Sequence, residues 1–308
     1  MRDRWAENLG KNRFMAAPLC TPTELKELIK RSGFPFELQV AEQLQAYGFQ
    51  VKLSEHFYNP LKQKDSELDI LATQETSATH SRIGKINLHL ELAVECKDNS
   101  LPYVLFGFPA PQRPPIEILD MDCRYMKIRS TDDKIKNQLG FVAFGDTREE
   151  KPRDIKPLLH QFGEPFRFHH ATLVEMDGGK LKLHESERLR LTLGGLGGYG
   201  EFIQDTWIKN KHVLEEVPHN PTLWVTFFLL VHNGQHFRYT NKNGLEAATH
   251  TPLFTTFHSN DSPTPLAIDF IQFEALPSAV KKICESFNHL AKHLLRYLSP
   301  SKRPVESE

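Results

Sequence analysis

Val94-Glu95-Cys96-Lys97 places a carboxylate and an ammonium two residues apart in a stretch that alternates like a β-strand. Both side chains therefore project from one face, while Leu92, Val94 and Cys96 project from the other. An acid and a lysine at that spacing suit phosphodiester hydrolysis: the carboxylate holds a hard divalent cation, and the ammonium stabilises charge or orients a water. One carboxylate holds Mg²⁺ weakly, so a second is expected on a neighbouring strand. Asp69 supplies it within Glu67-Leu68-Asp69-Ile70-Leu71. Leu68 and Ile70 are read as sharing one face and Asp69 as taking the other, among residues bound for a sheet interior. An unpaired carboxylate is costly there, which points to a cation.

A third acid lies upstream. At about 100° per residue, Val40, Ala41, Leu44 and Tyr47 form a helical stripe that includes Glu37 and leaves Glu42 outside. Glu37 can complete a cation shell directly or through water; the alternative is a first-turn carboxylate favoured by the helix dipole.

The elements that must position these groups follow from periodicity and breakers. After a polar arm over 1–20, Thr21-Pro-Thr-Glu-Leu opens a short helix that runs to about Arg31 and stops near Gly33. A second helix runs from Phe34 to Gly48, with Pro35 in its first turn and Gly48 as its cap. Strands are expected at Phe49–Leu53, at about Glu67–Thr73, and from Ile86 through Val94, with a turn at Asn59-Pro60 and a loop over 74–84. The Pro- and aromatic-rich stretch from Leu101 to Pro115 reads as irregular, and about 110–185 as an insertion. The glycines of Leu191–Gly200 (LTLGGLGGYG) read as a flexible loop before a helix from Glu201 to about Leu214. Leu223–Leu230 and Phe237–Thr240 read as a hairpin turned at Asn233-Gly234. A strand over Ala267–Phe273 and an amphipathic helix over Ser278–Leu298 close a single domain spanning 21–300, followed by a polar tail over 301–308.

Composition narrows the class. With 308 residues, 39% apolar and 25% charged, the chain can build a large core and is not a disordered or fibrous sequence. A formal charge of -1 gives no global basic field, so any polyanion contact must rest on local clusters such as Lys62 with Lys64 or Lys281 with Lys282. Cys20, Cys96, Cys123 and Cys284 form no CxxC pair, and His232 with His236 and His169 with His170 lack matching second pairs at zinc spacing. Cys96 reads as a core residue, and Glu91, on the Glu95 face roughly 13 Å along the strand, as a residue of the sheet margin. The run Trp224–Val231 is too short for a membrane helix and the N-terminus lacks a signal-peptide stretch, so a cytoplasmic protein without membrane contact is expected.

An inward helical Glu37, a strand Asp69, and Glu95-x-Lys97, in the order helix, strand, strand, strand, together resemble the PD-(D/E)XK nuclease superfamily. The likeness is to its restriction-endonuclease-like branches related to Mrr and the Holliday-junction resolvases, and it covers about Phe34 to Pro109. It implies an α/β fold with a mixed central sheet flanked by helices and carrying an insertion. It further implies Asp69 and Glu95 as ligands of Mg²⁺ or Mn²⁺, Lys97 as the catalytic lysine, Glu37 as the auxiliary acid, and DNA rather than RNA as substrate. Some relatives place a Gln and a basic residue on a later helix near the phosphate, which makes Gln204 a candidate contact. The Pro before the first Asp of the family name is absent, since Leu68 precedes Asp69. A second class of function stays open: a nuclease-like scaffold that binds nucleic acid or a protein without cutting.

Overall fold

A computed structural model describes residues 21–80, 84–98, 101–109, 126–129, 166–177, 180–184, 187–209, 220–258 and 263–297. The chain divides into two compact units, Met1–Pro35 and Phe36–Glu308. Helix α1 (Pro22–Arg31) belongs to the first. Its start is a capping box: Thr21 Oγ1 accepts from Glu24 N–H at 3.2 Å, and Glu24 Oε2 accepts from Thr21 N–H at 2.8 Å.

The second unit is organised by β3 (Gly84–Lys97). It is buried without a break from Leu88 to Cys96, which requires both faces of the sheet to be covered. Leu88, Leu90, Leu92, Val94 and Cys96 face a cluster built with α2 (Phe34–Ala46) and α4 (Leu276–Tyr297). Ala93 faces the opposite cluster, which includes Leu189, Leu196 and Tyr199 of α3 (Glu187–Lys209). Each fully buried leucine of this strand contributes roughly 1.5–3 kcal/mol. The helix α2 ends as its sequence predicts, with Gly48 at φ 84.

β1 (Gln50–Asn59), β2 (Lys64–His80) and β3 form an antiparallel meander. β3, β8 (Thr222–His232) and β12 (Pro263–Gln272) then run parallel, with Lys97 opposite His232 and His232 opposite Gln272. β12 meets only Phe228–His232 of β8, and β5 (Met126–Arg129) pairs antiparallel with Thr222–Val225. The ladder continues through β11 (His250–His258), β6 (Phe166–Asp177), β4 (Tyr103–Pro109), β9 (His236–Thr240) and β10 (Gly244–Ala248), with β7 (Lys180–His184) on β6. The result is a mixed α/β architecture. Among the described residues no helix is long and apolar enough to cross a membrane.

Several expectations are corrected. The loop expected over 74–84 is mostly strand, because β2 pairs with β3 from Ile70–Val94 out to His80–Gly84. The irregular stretch after Leu101 contains β4, and the region expected as an insertion supplies β5, β6 and β7 to the common sheet. β8 and β9 do not pair as a hairpin: β9 joins β4 and β10 instead. Neither Asn233 nor Gly234 has the positive φ such a turn needs; that conformation appears at Gly244, φ 74, in the turn between β9 and β10. The glycine run is helical, inside α3, which starts at Glu187 rather than Glu201. Leu68 and Ile70 also part company, Leu68 toward the α3 side and Ile70 toward α2 and α4. Opposite them, between the pairs Leu53–Ile70 and Glu55–Leu68, Ser54 adopts φ 54 and interrupts the alternation.

Candidate functional site

The site begins where the β2–β3 ladder ends. Beyond the pair Ile70–Val94, Asp69 stands beside the last turn of the pleat and its Oδ2 accepts the Cys96 backbone N–H at 2.7 Å. Strand alternation carries Asn87, His89, Glu91, Ala93, Glu95 and Lys97 along one face of β3. At its end Lys97 Nζ donates to Glu95 Oε2 at 2.9 Å and pairs with Asp69 Oδ2 at 3.5 Å. Two carboxylates from adjacent strands thus converge on one ammonium, as the sequence predicts. The Glu95 side chain is 8% exposed, and those of Asp69 and Lys97 are 21% and 31% exposed, so the cluster is reached from the Lys97 side.

Burial is the largest single influence on Glu95 and on Lys97, and it decides the direction only for Glu95. It pushes the Glu95 carboxyl up to about 7, against the pull of Lys97 and Lys62. For Lys97, burial pulls down, but Glu95 and Asp69 outweigh it and hold the ammonium above its usual range.

Glu37 stands on the inner half of α2, half-buried beside Phe36 and Val40. Burial and the neighbouring Asp69 charge raise its pKa, and Lys97 opposes them. It does not join the pair in one cation shell: among the described residues, no group of three or more His, Cys, Asp or Glu side chains is placed to hold a metal ion. Gln204 lies on α3, but its side chain is outside the described ones. Cys96 packs into the core on the far face.

Further residues join the site that sequence placed only in a turn, Asn59, or in a surface basic cluster, Lys62. Asn59, fully buried, accepts from Leu61 N–H at 3.0 Å and Lys62 N–H at 3.1 Å, shaping the turn after β1, and donates to Gly194 O at 3.3 Å. Lys62 Nζ reaches Leu191 O at 3.3 Å. The glycines of α3 explain how a helix comes this close. A Cβ on Gly195 would lie 2.8 Å from Glu95 Oε1, and one on Gly198 would overlap the Asn59 amide. The signal was present in the sequence as spacing, Gly194, Gly195 and Gly198 falling on one side of a helix.

Glu91 is not at the sheet margin; it is 5% exposed. Thr226 Oγ1 donates to its Oε1 at 3.2 Å and Tyr199 OH donates at 3.5 Å. Burial pushes this carboxyl also to about 7, against those donors. His89 Nε2 lies 4.0 Å from Glu91 Oε2, its Nδ1 lies 3.0 Å from Glu75, and its ring stacks on Trp224. His232 and His236 form a buried contact of 2.9 Å, with burial holding the two rings at about 4 and about 3, so both are neutral at pH 7.

Compared with known proteins, the chain matches no family model, no curated protein and no solved structure.

Proposed function

We propose that this chain is a divalent-metal-dependent nuclease of the PD-(D/E)XK kind, built on a restriction-endonuclease-like sheet and acting on DNA in the cytoplasm. One observation carries the reading: Asp69 and Glu95 approach Lys97 Nζ at 3.5 and 2.9 Å from neighbouring strands. The donor set fits Mg²⁺ or Mn²⁺, because such ions take one or two carboxylates and complete their shell with water and phosphate oxygens. Asp69 and Glu95 would hold the ion, which when bound supplies a Lewis acid and an acidified water. Lys97 keeps its charge through the neutral range and stabilises negative charge on a phosphate at the open side of the cluster. Asp69 is fixed by the Cys96 N–H, so its carboxylate is oriented before any ligand arrives. Glu37 bears on the pair through its charge from α2.

A second reading, a nuclease-like module that binds without cutting, draws on a different observation. Lys97 already satisfies both carboxylates, and the glycine face of α3 lies directly over Glu95. Plasmid nicking with Mg²⁺ or Mn²⁺ separates the two. Cleavage by the wild type that disappears in Asp69→Ala and Lys97→Ala supports the nuclease. Cleavage that is equal in all three and indifferent to metal discards the catalytic assignment, and nucleic-acid binding without any cleavage favours the module.

A further inference from the structure

The parallel strands β3, β8 and β12 finish on the same edge of the sheet, where open α/β sheets place their ligands. Lys97 ends the first, and Gln272, two strands away and roughly 10 Å across at usual strand spacing, ends the third. Asn233 N–H donates to Lys97 O at 3.2 Å, which ties the end of β3 to the turn that leads to β9. Around Gln272, residues of β9, β10, β11 and α4 border an open cavity of about 520 Å³. Its lining includes Gln235, His236, Arg238, His250, Gln272 and Lys282, and no carboxylate is among the lining residues. Arg238 is held with its guanidinium carbon 5.8 Å from the Phe168 ring centre, and His250 Nε2 is held 2.8 Å from the buried Asp269 carboxylate. Glu246 stands opposite Arg238 in the β9–β10 ladder without lining the cavity.

Two permanent cations, an anchored imidazole and two amides facing one concave space form a recognition set for an anion with several acceptor oxygens. The volume admits a nucleotide-sized group. The space is about half open to solvent, and a phosphate monoester offers its donors three terminal oxygens where an internal diester offers two.

We propose that this cavity binds a phosphate monoester, with the terminal phosphate of a polynucleotide as the ligand that would place its strand along the edge toward Lys97. The choice of a polynucleotide end rests on the nuclease reading above; the phosphate chemistry rests on the cavity alone.

The test is binding of the full chain to a short fluorescent single-stranded DNA in EDTA. The oligonucleotide carries a 5′-phosphate, a 3′-phosphate or hydroxyls at both ends, and unlabelled AMP and inorganic phosphate serve as competitors. One phosphorylated form should bind about ten-fold tighter than the hydroxyl-ended form, as loss of charge-assisted contacts implies. Lys282→Gln, at an exposed position that leaves the core untouched, and Arg238→Gln should each shrink that gap, whereas Asp69→Asn should keep it. Competition by AMP with no preference among the DNA ends assigns the same site to a free mononucleotide. Equal binding of all three DNAs, with no competition by AMP or inorganic phosphate, overturns the proposal and leaves the nuclease reading intact. Absence of metal-dependent cleavage with the end preference preserved does the reverse.

Discussion

Glu91 and Glu95 stand four residues apart on one face of β3, each nearly excluded from solvent, and burial pushes each to about 7. What differs is the company. Glu91 is met by the hydroxyls of Thr226 and Tyr199, neutral donors in a closed interior. Glu95 is met by the Lys97 ammonium, with a second carboxylate behind it and a path to solvent. A buried acid marks a site only when a charge of opposite sign and an opening accompany it; otherwise it is an internal hydrogen-bonding group.

The largest test of this contrast is activity. Under the nuclease reading, Glu95→Gln lowers Mg²⁺-dependent nicking about 1000-fold, whereas Glu91→Gln leaves it within about three-fold; equal losses would erase the distinction. Stability against pH comes next. The folded chain keeps the Glu91 proton up to about 7, whereas an ordinary glutamate in the unfolded chain releases it near 4.5. This contribution is therefore complete below pH 4.5 and is lost as pH rises through 7, on the order of 3 kcal/mol in all. Urea titrations across pH 4.5–8 should show the fall in wild type and a shallower one in Glu91→Gln. Packing gives a smaller effect. Gly198→Ala should cost about 2 kcal/mol, because its new methyl meets the buried Asn59 amide, and Gly195→Ala about 1 kcal/mol, because the Glu95 carboxylate can shift. Thermal melts check both, and an unchanged Gly198→Ala would mean that α3 sits further from the sheet. The smallest effect is at Lys62: Lys62→Met should alter nicking by only about three-fold, since its charge reaches Glu95 without a direct bond.

The contrast was half legible in sequence. Alternation over Ile86–Lys97 gives the strand, its two faces, and the common side of Glu95 and Lys97 without any tertiary information. The acidic member from β2 was also legible, although the reason given for its direction fails at Leu68, because the left-handed Ser54 belongs to the partner strand and leaves no mark in the local pattern. Glu91 was misplaced because the part of α3 that brings Tyr199 to it was read as a loop. Local propensity assigns LTLGGLGGYG to a loop, and only the need to pass close to Glu95 and Asn59 makes glycine the suitable residue in that helix. The β8–β9 misreading is similar: Asn233-Gly234 has the composition of a tight turn, but its flanking strands find β12, β3 and β4 as better partners.

The same glycines bear on the order in which the molecule assembles. Five of them lie in α3, and each costs about 1 kcal/mol relative to alanine in an isolated helix, so this segment gains its helical form from the surface beneath it. That surface is unfinished until β8, which follows α3 in the chain, has docked beside β3. During synthesis the acids therefore stay bare to water until the chain has emerged through β8, and their enclosure follows that of the meander.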